Sequence, residues 1–181
     1  MTKLFMKTKS FDLIILAVAF LATNAAATTV IPPTFDELVD EAQVIFEGSV
    51  TNVRCEWIGE GAQRGIVSHI TFQVEDVLKG NLGATYTLQM VGGTIGNETI
   101  AIADAPVFNK ADRDILFIEN NGRQFIPLVG VMYGRFRVRS DVAAGREIVT
   151  DNAGGPVAGV TRLGLADFKN AIRTRLGPAK H

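Results

Sequence analysis

The 181-residue sequence predicts a mainly β fold, a small closed barrel with a short N-terminal helix and a C-terminal helix. Two long segments, 44–57 and 65–80, alternate apolar with polar residues and are rich in β-branched and aromatic side chains, the pattern of half-buried strands. A third strand is predicted at 85–91, directly after a Lys-Gly-Asn turn. These three strands in close succession favour an antiparallel sheet that curls on itself.

The first predicted strand changes phase partway along its length. Its inward residues are Val44, Phe46 and Val50 before the change, and Val53, Cys55 and Trp57 after it. A change of phase predicts a bulge or sharp bend, and Gly48 lies where the chain can bend without a side chain to clash. Long first strands that bend across both halves of a barrel are typical of the OB fold. The sequence therefore predicts a closed, five-stranded, OB-like barrel.

The remaining elements are predicted from capping, periodicity and turn residues. A helix at 34–42 is expected because Thr34 and Glu37 have the spacing of a capping box. The later elements are a short strand at 99–103, a strand buried on both faces at 114–119, a return strand at 124–129, a hairpin of 131–140 with 146–150, and a closing helix at 165–176.

Residues 1–27 have the features of a secretory signal peptide. Three lysines precede an apolar run at 13–22, and small residues at 25–27 offer a cleavage site. The alternative is an uncleaved anchor, but the run is well short of the roughly 20 residues that span a bilayer. We therefore expect a mature chain that begins near Thr28, forms a single domain over 28–181, and is secreted or periplasmic, without stable membrane insertion.

The charge balance and the cysteine count narrow the possible partners. Of the 18 basic and 19 acidic residues, three and one lie in the leader, so the mature chain is close to neutral. Such a balance gives no general attraction to nucleic acid or to anionic membranes. Cys55 is the only cysteine, which excludes an internal disulfide, and its alternation with Val53 and Trp57 predicts that it is buried as a small hydrophobic residue.

The sequence offers no recognisable catalytic, metal or cofactor motif. His69 and His181 are the only histidines, too few with one cysteine for tetrahedral zinc, and His69 is predicted on the polar face of its strand. A triad assembled from distant residues stays open, although no GxSxG motif is present. The glycines at 92–96 lack the lysine and helix of a phosphate loop and predict a turn. No cofactor is expected.

Acidic residues gather before the strand at 114–119. They are Glu98, Asp104, Asp112 and Asp114. Their oxygens can hold calcium, but the spacing fits no EF-hand, and the alternative is a set of solvated loop carboxylates.

An arginine stripe is the candidate binding site. Arg135, Arg137 and Arg139 recur at period two, which places three guanidinium groups on one face of a strand while Phe136 and Val138 face the core. OB barrels bind ligands on the sheet face. The candidate site residues are therefore Tyr133, Arg135, Arg137 and Arg139, and the expected partner is a protein or an anionic glycan. The alternative is a solvent-facing strand whose charges pair with neighbours such as Glu147.

Several of these segments carry a resemblance to known families. The segments AQVIFEGSV, HITFQVEDVLKG, YTLQMVGG and DILFIENNGRQFIPLVG resemble an uncharacterised family of exported bacterial proteins, over about residues 31–175. Over about 38–119 the order of elements is similar to the netrin-like domain of tissue inhibitors of metalloproteinases, an OB barrel. Those inhibitors act through a disulfide-held N-terminal cysteine that this chain lacks, so the resemblance implies the fold and not the inhibitory activity.

The function expected from the sequence is that of a non-enzymatic binding or interaction module outside the cytoplasm. The alternatives are a cell-envelope hydrolase and a structural envelope or matrix protein. A hydrolase should show a polar pocket in which His69 or two carboxylates converge. A binding module should show an open face or a groove.

Overall fold

The structure of the chain is a computed structural model that describes residues 32–178. The predicted signal peptide, its cleavage site near Thr28 and the terminal His181 lie outside the described residues. Between residues 32 and 178, no helix combines the length and the hydropathy needed to cross a membrane.

The described chain is mainly β, as the sequence predicts, with one helix near each end. In chain order the elements are α1 (Phe35–Glu41), β1 (Val44–Ile58), a 3-10 turn (Gly61–Gln63), β2 (Gly65–Lys79), β3 (Thr85–Val91), β4 (Gly93–Ile95), β5 (Glu98–Ile100), β6 (Arg113–Ile118), β7 (Arg135–Asp141), β8 (Arg146–Thr150), β9 (Leu163–Gly164) and α2 (Leu165–Leu176).

Seven of these strands form one antiparallel sheet in the order β3-β2-β1-β6-β7-β8-β9, and β4 pairs with β5 as a separate hairpin. Strands β3 and β9 lie at the two ends of this order and do not pair with each other. The sheet is therefore open within the described residues. The expected closed, five-stranded barrel is not confirmed.

The outer edge of β3 is nevertheless covered by the segment that follows β6. The Asn121 side chain donates to the Thr87 carbonyl at 2.8 Å and accepts from the Gln89 amide at 2.9 Å. Farther along, the Val91 amide donates to the Phe125 carbonyl at 2.8 Å. These contacts satisfy edge groups that would otherwise be free to pair with another chain.

The return strand expected at 124–129 does not form. The segment makes turns and one isolated bridge, between Ile118 and Leu128. Pro127 has no backbone amide to donate to a ladder, and the Phe125 carbonyl bonds to β3 instead. The segment therefore acts as a cover for the edge and not as a strand.

The predicted phase change in β1 is confirmed. Its pairing with β2 shifts register between Ile45 and Phe46, between Glu47 and Gly48, and again between Val50 and Asn52. At Gly48 an added Cβ would lie 2.6 Å from the Gln73 carbonyl oxygen, so the two backbones approach too closely there for a side chain.

The sheet is buried on both faces. One core lies under the two helices and includes Leu38, Ile45, Phe117, Phe168 and Ile172. The other lies inside the curl of the first strands and includes Phe46, Phe72, Leu88, Phe108 and Leu116. Strand β6 contributes alternate residues to both cores, which confirms the prediction of a strand buried on both sides. The expected capping box of α1 is also confirmed, since Thr34 and Glu37 bond reciprocally.

A buried ion cluster joins α2 to the sheet. Glu47 is 2% exposed, and its carboxylate lies 2.6 Å from the Lys169 ammonium and 2.5 Å from the Arg113 guanidinium. Lys169 also pairs with Asp76 on β2. Each buried charge thus has an opposite charge beside it, as charges removed from water require. We assign this cluster to the docking of α2.

Candidate functional site

A cavity of about 430 Å³ lies on the inner face of the first strands. Its floor comes from β1, β2 and β3, and the β4–β5 hairpin lies over it. The segment 100–108 forms its side wall. Its lining includes the side chains of Val53, Cys55, Ser68, Ile70, Met90 and Phe108.

The two polar groups on the floor satisfy each other. The Ser68 hydroxyl donates to the Gly92 carbonyl at 2.6 Å, and the Cys55 sulfur lies 3.3 Å from the Ser68 oxygen. A hydroxyl and a thiol each carry one proton. Because Ser68 donates its proton to Gly92, the Cys55 thiol donates to Ser68. Neither group keeps a free donor to offer a ligand.

Cys55 is half-buried, so the prediction of a buried cysteine is wrong in degree. The alternation that suggested burial is correct, because Cys55 does face inward with Ser68 as its cross-strand partner. However, β6 pairs with β1 only as far as Ser49. Within residues 32–178, β1 has no second strand neighbour beyond that point, and the β4–β5 hairpin lies over Cys55.

The β4–β5 hairpin can lie over the floor of the cavity only because its first residue, Gly93, is a glycine. Gly93 has φ +136°, and an added Cβ would lie 2.4 Å from the Ser68 oxygen and 2.8 Å from the Cys55 sulfur. Only glycine allows the hairpin to lie so close to the floor. The segment 92–96, predicted only as a turn, contains the short strand β4, and the chain turns after it. The strand expected at 99–103 is β5, which ends at Ile100.

The side wall is held in place by Arg135. Its guanidinium donates to the Val107 carbonyl at 2.7 Å and lies 4.1 Å above the Phe108 ring, a cation–π contact. The opposite side of the wall is fixed by Phe72, whose ring meets Phe108 edge to face at 5.6 Å. Phe108 is only 6% exposed. The wall is therefore an ordered part of the second core.

Arg135 is itself fixed by two carboxylates. It makes two bonds of 3.0 Å to Asp114 and one of 2.9 Å to Asp112. Arg135 is 2% exposed and Asp114 is fully buried. Burial raises the pKa of Asp114, and Arg135 opposes that rise. For Asp112, burial is outweighed by the bonds from the Asn109 amide and Arg135, so its pKa is lowered.

The predicted arginine stripe is not one exposed surface. Arg135 is buried, Arg137 is partly buried and lies 3.3 Å from Asp112, and Arg139 is exposed. Tyr133 packs against the other core, under the helices. Period two does place the three arginines on one face of β7, and Phe136 and Val138 are buried on the other as expected.

The reason lies in the neighbouring strand. Arg135 stands opposite Leu116 of β6 and Arg137 stands opposite Asp114, and β6 is buried on both faces. The arginine face of β7 is therefore interior where β7 pairs with β6, at Arg135 and Arg137, and it is exposed at Arg139. Glu147, the expected partner of the stripe, pairs instead with Arg113.

The acidic residues predicted as a possible calcium site do not converge. Asp112 and Asp114 bind Arg135, while Glu98 and Asp104 are exposed. Within residues 32–178, no group of three or more histidine, cysteine, aspartate or glutamate side chains is arranged to hold a metal ion.

His69 is not part of the cavity. Its Nε2 lies 2.8 Å from a Glu56 carboxylate oxygen. Arg54 and then His69 lower the pKa of Glu56. Adjacent residues of a strand point to opposite faces, so His69 faces away from the cavity that Ser68 lines.

Sequence reasoning missed the side wall, although one signal was present. Apolar residues recur through the segment 100–108, of which only the part up to residue 103 was predicted to form a strand. They are Ile100, Ile102, Val107 and Phe108. What the sequence does not show is that the buried Arg135, 27 positions later than Phe108, holds this segment over the sheet.

Comparisons with known proteins found no matching family model, no matching curated protein and no matching solved structure.

Proposed function

We propose that the protein is a non-enzymatic binding module, exported from the cytoplasm, that takes a small molecule into the cavity beneath the β4–β5 hairpin. One observation carries the proposal. The cavity, about 430 Å³, is lined by uncharged residues throughout its described surface. Ligand sites typically have volumes of about 300–1,000 Å³ and predominantly apolar walls.

The hydrolase alternative finds no support in the described residues. The nucleophile candidates at the floor, Cys55 and Ser68, bond to each other and to Gly92. An activated nucleophile needs a base within hydrogen-bond reach. His69 lies on the other face of β2, and the nearby carboxylates bind Arg135.

The arginine stripe gives less support for an anionic partner than the sequence suggested, because Arg135 forms salt bridges with two carboxylates, those of Asp112 and Asp114. Arg139 is the exposed member of the stripe. A single exposed cation is common on any protein surface and points to no particular ligand.

The proposal includes an OB-like architecture and export. The architecture is supported by the register shifts in β1 and by the contacts that cover the edge of β3. Export is supported by the leader-like pattern of residues 1–27. The resemblance to exported bacterial proteins agrees with both.

A pair of tryptophan substitutions tests the site. Ala101 and Ala103 are both exposed and lie in the same segment, but only Ala101 lines the cavity. Ala101→Trp should fill the mouth without overpacking a core, and Ala103→Trp is the matched control.

The assay is titration with an apolar dye whose fluorescence rises in a nonpolar site. We expect one dye per chain for the wild type and for Ala103→Trp. We expect affinity weaker by at least about tenfold, or 1.4 kcal/mol, for Ala101→Trp. No saturable binding by the wild type, or equal binding by both variants, would refute the proposed function.

A further inference from the structure

The cavity is predominantly apolar, and the four polar side chains that line it, those of Cys55, Ser68, Thr94 and Thr99, hydrogen-bond to each other or to the backbone. At the mouth, Val53 and Ile102 are each 37% exposed and Val107 is 74% exposed. Contiguous apolar surface left open to water is typical of a site that is covered in its functional state. Since these three residues continue the lining formed inside by Ile70 and Met90, one apolar surface runs from the interior to the solvent.

The floor gives a polar ligand no free side-chain donor, and the two threonine hydroxyls of the β4–β5 hairpin, Thr94 and Thr99, bond to each other at 2.9 Å. Both floor donors are occupied, by Ser68 to Gly92 and by Cys55 to Ser68. Burying a polar group without a hydrogen bond is costly, and burying an unpaired charge costs more. The nearest guanidinium, that of Arg135, lies behind the Phe108 ring and is bonded to Asp114, Asp112 and the Val107 carbonyl. The buried part of a ligand must therefore be hydrocarbon.

The volume of the cavity and its open mouth further restrict the class of ligand. A dry apolar cavity of about 150 Å³ is enough to bind benzene, and this cavity is about 430 Å³. It therefore has room for a hydrocarbon body longer than one ring, and its mouth opens to solvent beside Val107.

We propose that the cavity binds the alkyl chain of a free, single-chain amphiphile, with the polar end at the mouth. This inference rests on the proposed function and specifies its ligand. The chain end would lie against Cys55 and Ser68, and the wall that Arg135 fixes would contact its length.

A homologous series tests the inference. Hexyl to decyl glucosides, each kept below its micelle concentration, carry the same uncharged head on chains of increasing length. Each buried CH₂ contributes about 0.8 kcal/mol, so the Kd measured by calorimetry should fall about fourfold per CH₂ and level off once the cavity is full. Ala101→Trp should abolish this dependence and Ala103→Trp should keep it.

Cys55 provides a second measurement, because it is the only thiol in the chain and it lines the cavity. Decyl glucoside should slow its reaction with N-ethylmaleimide in the wild type and in Ala103→Trp. If Cys55 reacted at the same rate with and without decyl glucoside, the alkyl chain would not lie against it, and the inference would be overturned.

The outcomes separate this inference from the proposed function. Saturable dye binding together with glucoside affinity that does not change with chain length would overturn the inference and leave the binding module intact. Binding to phosphatidylcholine vesicles without binding to the free glucosides would also overturn it. Failure of the dye to bind the wild type saturably would refute the proposed function and this inference together.

Discussion

Replacing Arg135 with methionine should destabilise the protein strongly. Methionine keeps an unbranched apolar stem but removes the guanidinium that binds Asp114, Asp112 and the Val107 carbonyl. Asp114, which is fully buried, would then hold a carboxylate without its cation.

The magnitude follows from the burial of both partners. Removing one member of a buried ion pair costs about 3–5 kcal/mol, because the remaining charge is uncompensated. For a domain of this size, 1 kcal/mol corresponds to about 2–4 °C. We therefore expect the melting temperature of Arg135→Met to fall by about 6–20 °C at pH 7.

Urea denaturation and thermal melting measure this effect, with Arg139→Met as the matched control. Arg139 is exposed on the same strand, so its replacement should change stability by less than about 0.5 kcal/mol. The double variant Asp114→Leu, Arg135→Met should lose less than the sum of the two single variants, since it removes both charges.

The loss should also depend on pH. Burial raises the pKa of Asp114 and Arg135 opposes the rise, so the variant should have a still higher pKa there. A carboxyl whose folded pKa is raised binds its extra proton in the folded state, and the free energy of unfolding then falls as pH rises through that interval. The deficit should therefore shrink on acidification. If Arg135→Met had the same melting temperature as the wild type at pH 7, Arg135 would not stabilise this core.

Two further predictions concern backbone packing and acid stability. Gly48→Val should destabilise the protein by more than about 1 kcal/mol, because a Cβ at Gly48 would lie 2.6 Å from the Gln73 carbonyl oxygen. Gly83→Val should be near neutral, because nothing lies within 4 Å of a Cβ at Gly83. Equal urea midpoints for the two variants would contradict this prediction. Since the pKa of Asp112 is lowered from its usual 3.8, its stabilisation is complete above about pH 4 and is lost as pH falls through the lowered value. Asp112→Asn should accordingly show a smaller loss of stability between pH 4 and 2 than the wild type, and identical pH profiles would exclude this role.

Local signals made much of the fold predictable. Thr34 and Glu37 identify the start of α1 because both partners of the cap lie within four residues. The apolar run at 114–118 predicts a strand buried on both faces, and the phase change in β1 predicts the register shifts. Each of these depends on residues close together in the sequence.

The failures depend on contacts between distant residues. Closure of a barrel requires a partner for β3, and the turns around Pro127 provide a cover instead of a strand. The position of Arg135 on a strand was correct, but its exposure depended on the burial of β6. Its two carboxylate partners, Asp114 and Asp112, lie more than 20 residues away. The cavity combines four separate stretches of the chain, 53–55, 68–70, 90–94 and 99–108, and no local pattern shows that they meet.

The most direct test of the cavity as a binding site uses its methionine. Met90 is 4% exposed and lines the cavity, whereas Met132 is outside it. With ¹³C-methyl methionine and resonances assigned by substitution, titration with decyl glucoside should shift the Met90 signal until one molecule is bound per chain and leave the Met132 signal in place. An unmoved Met90 signal at saturating glucoside, or equal shifts of both signals, would contradict a binding site in this cavity.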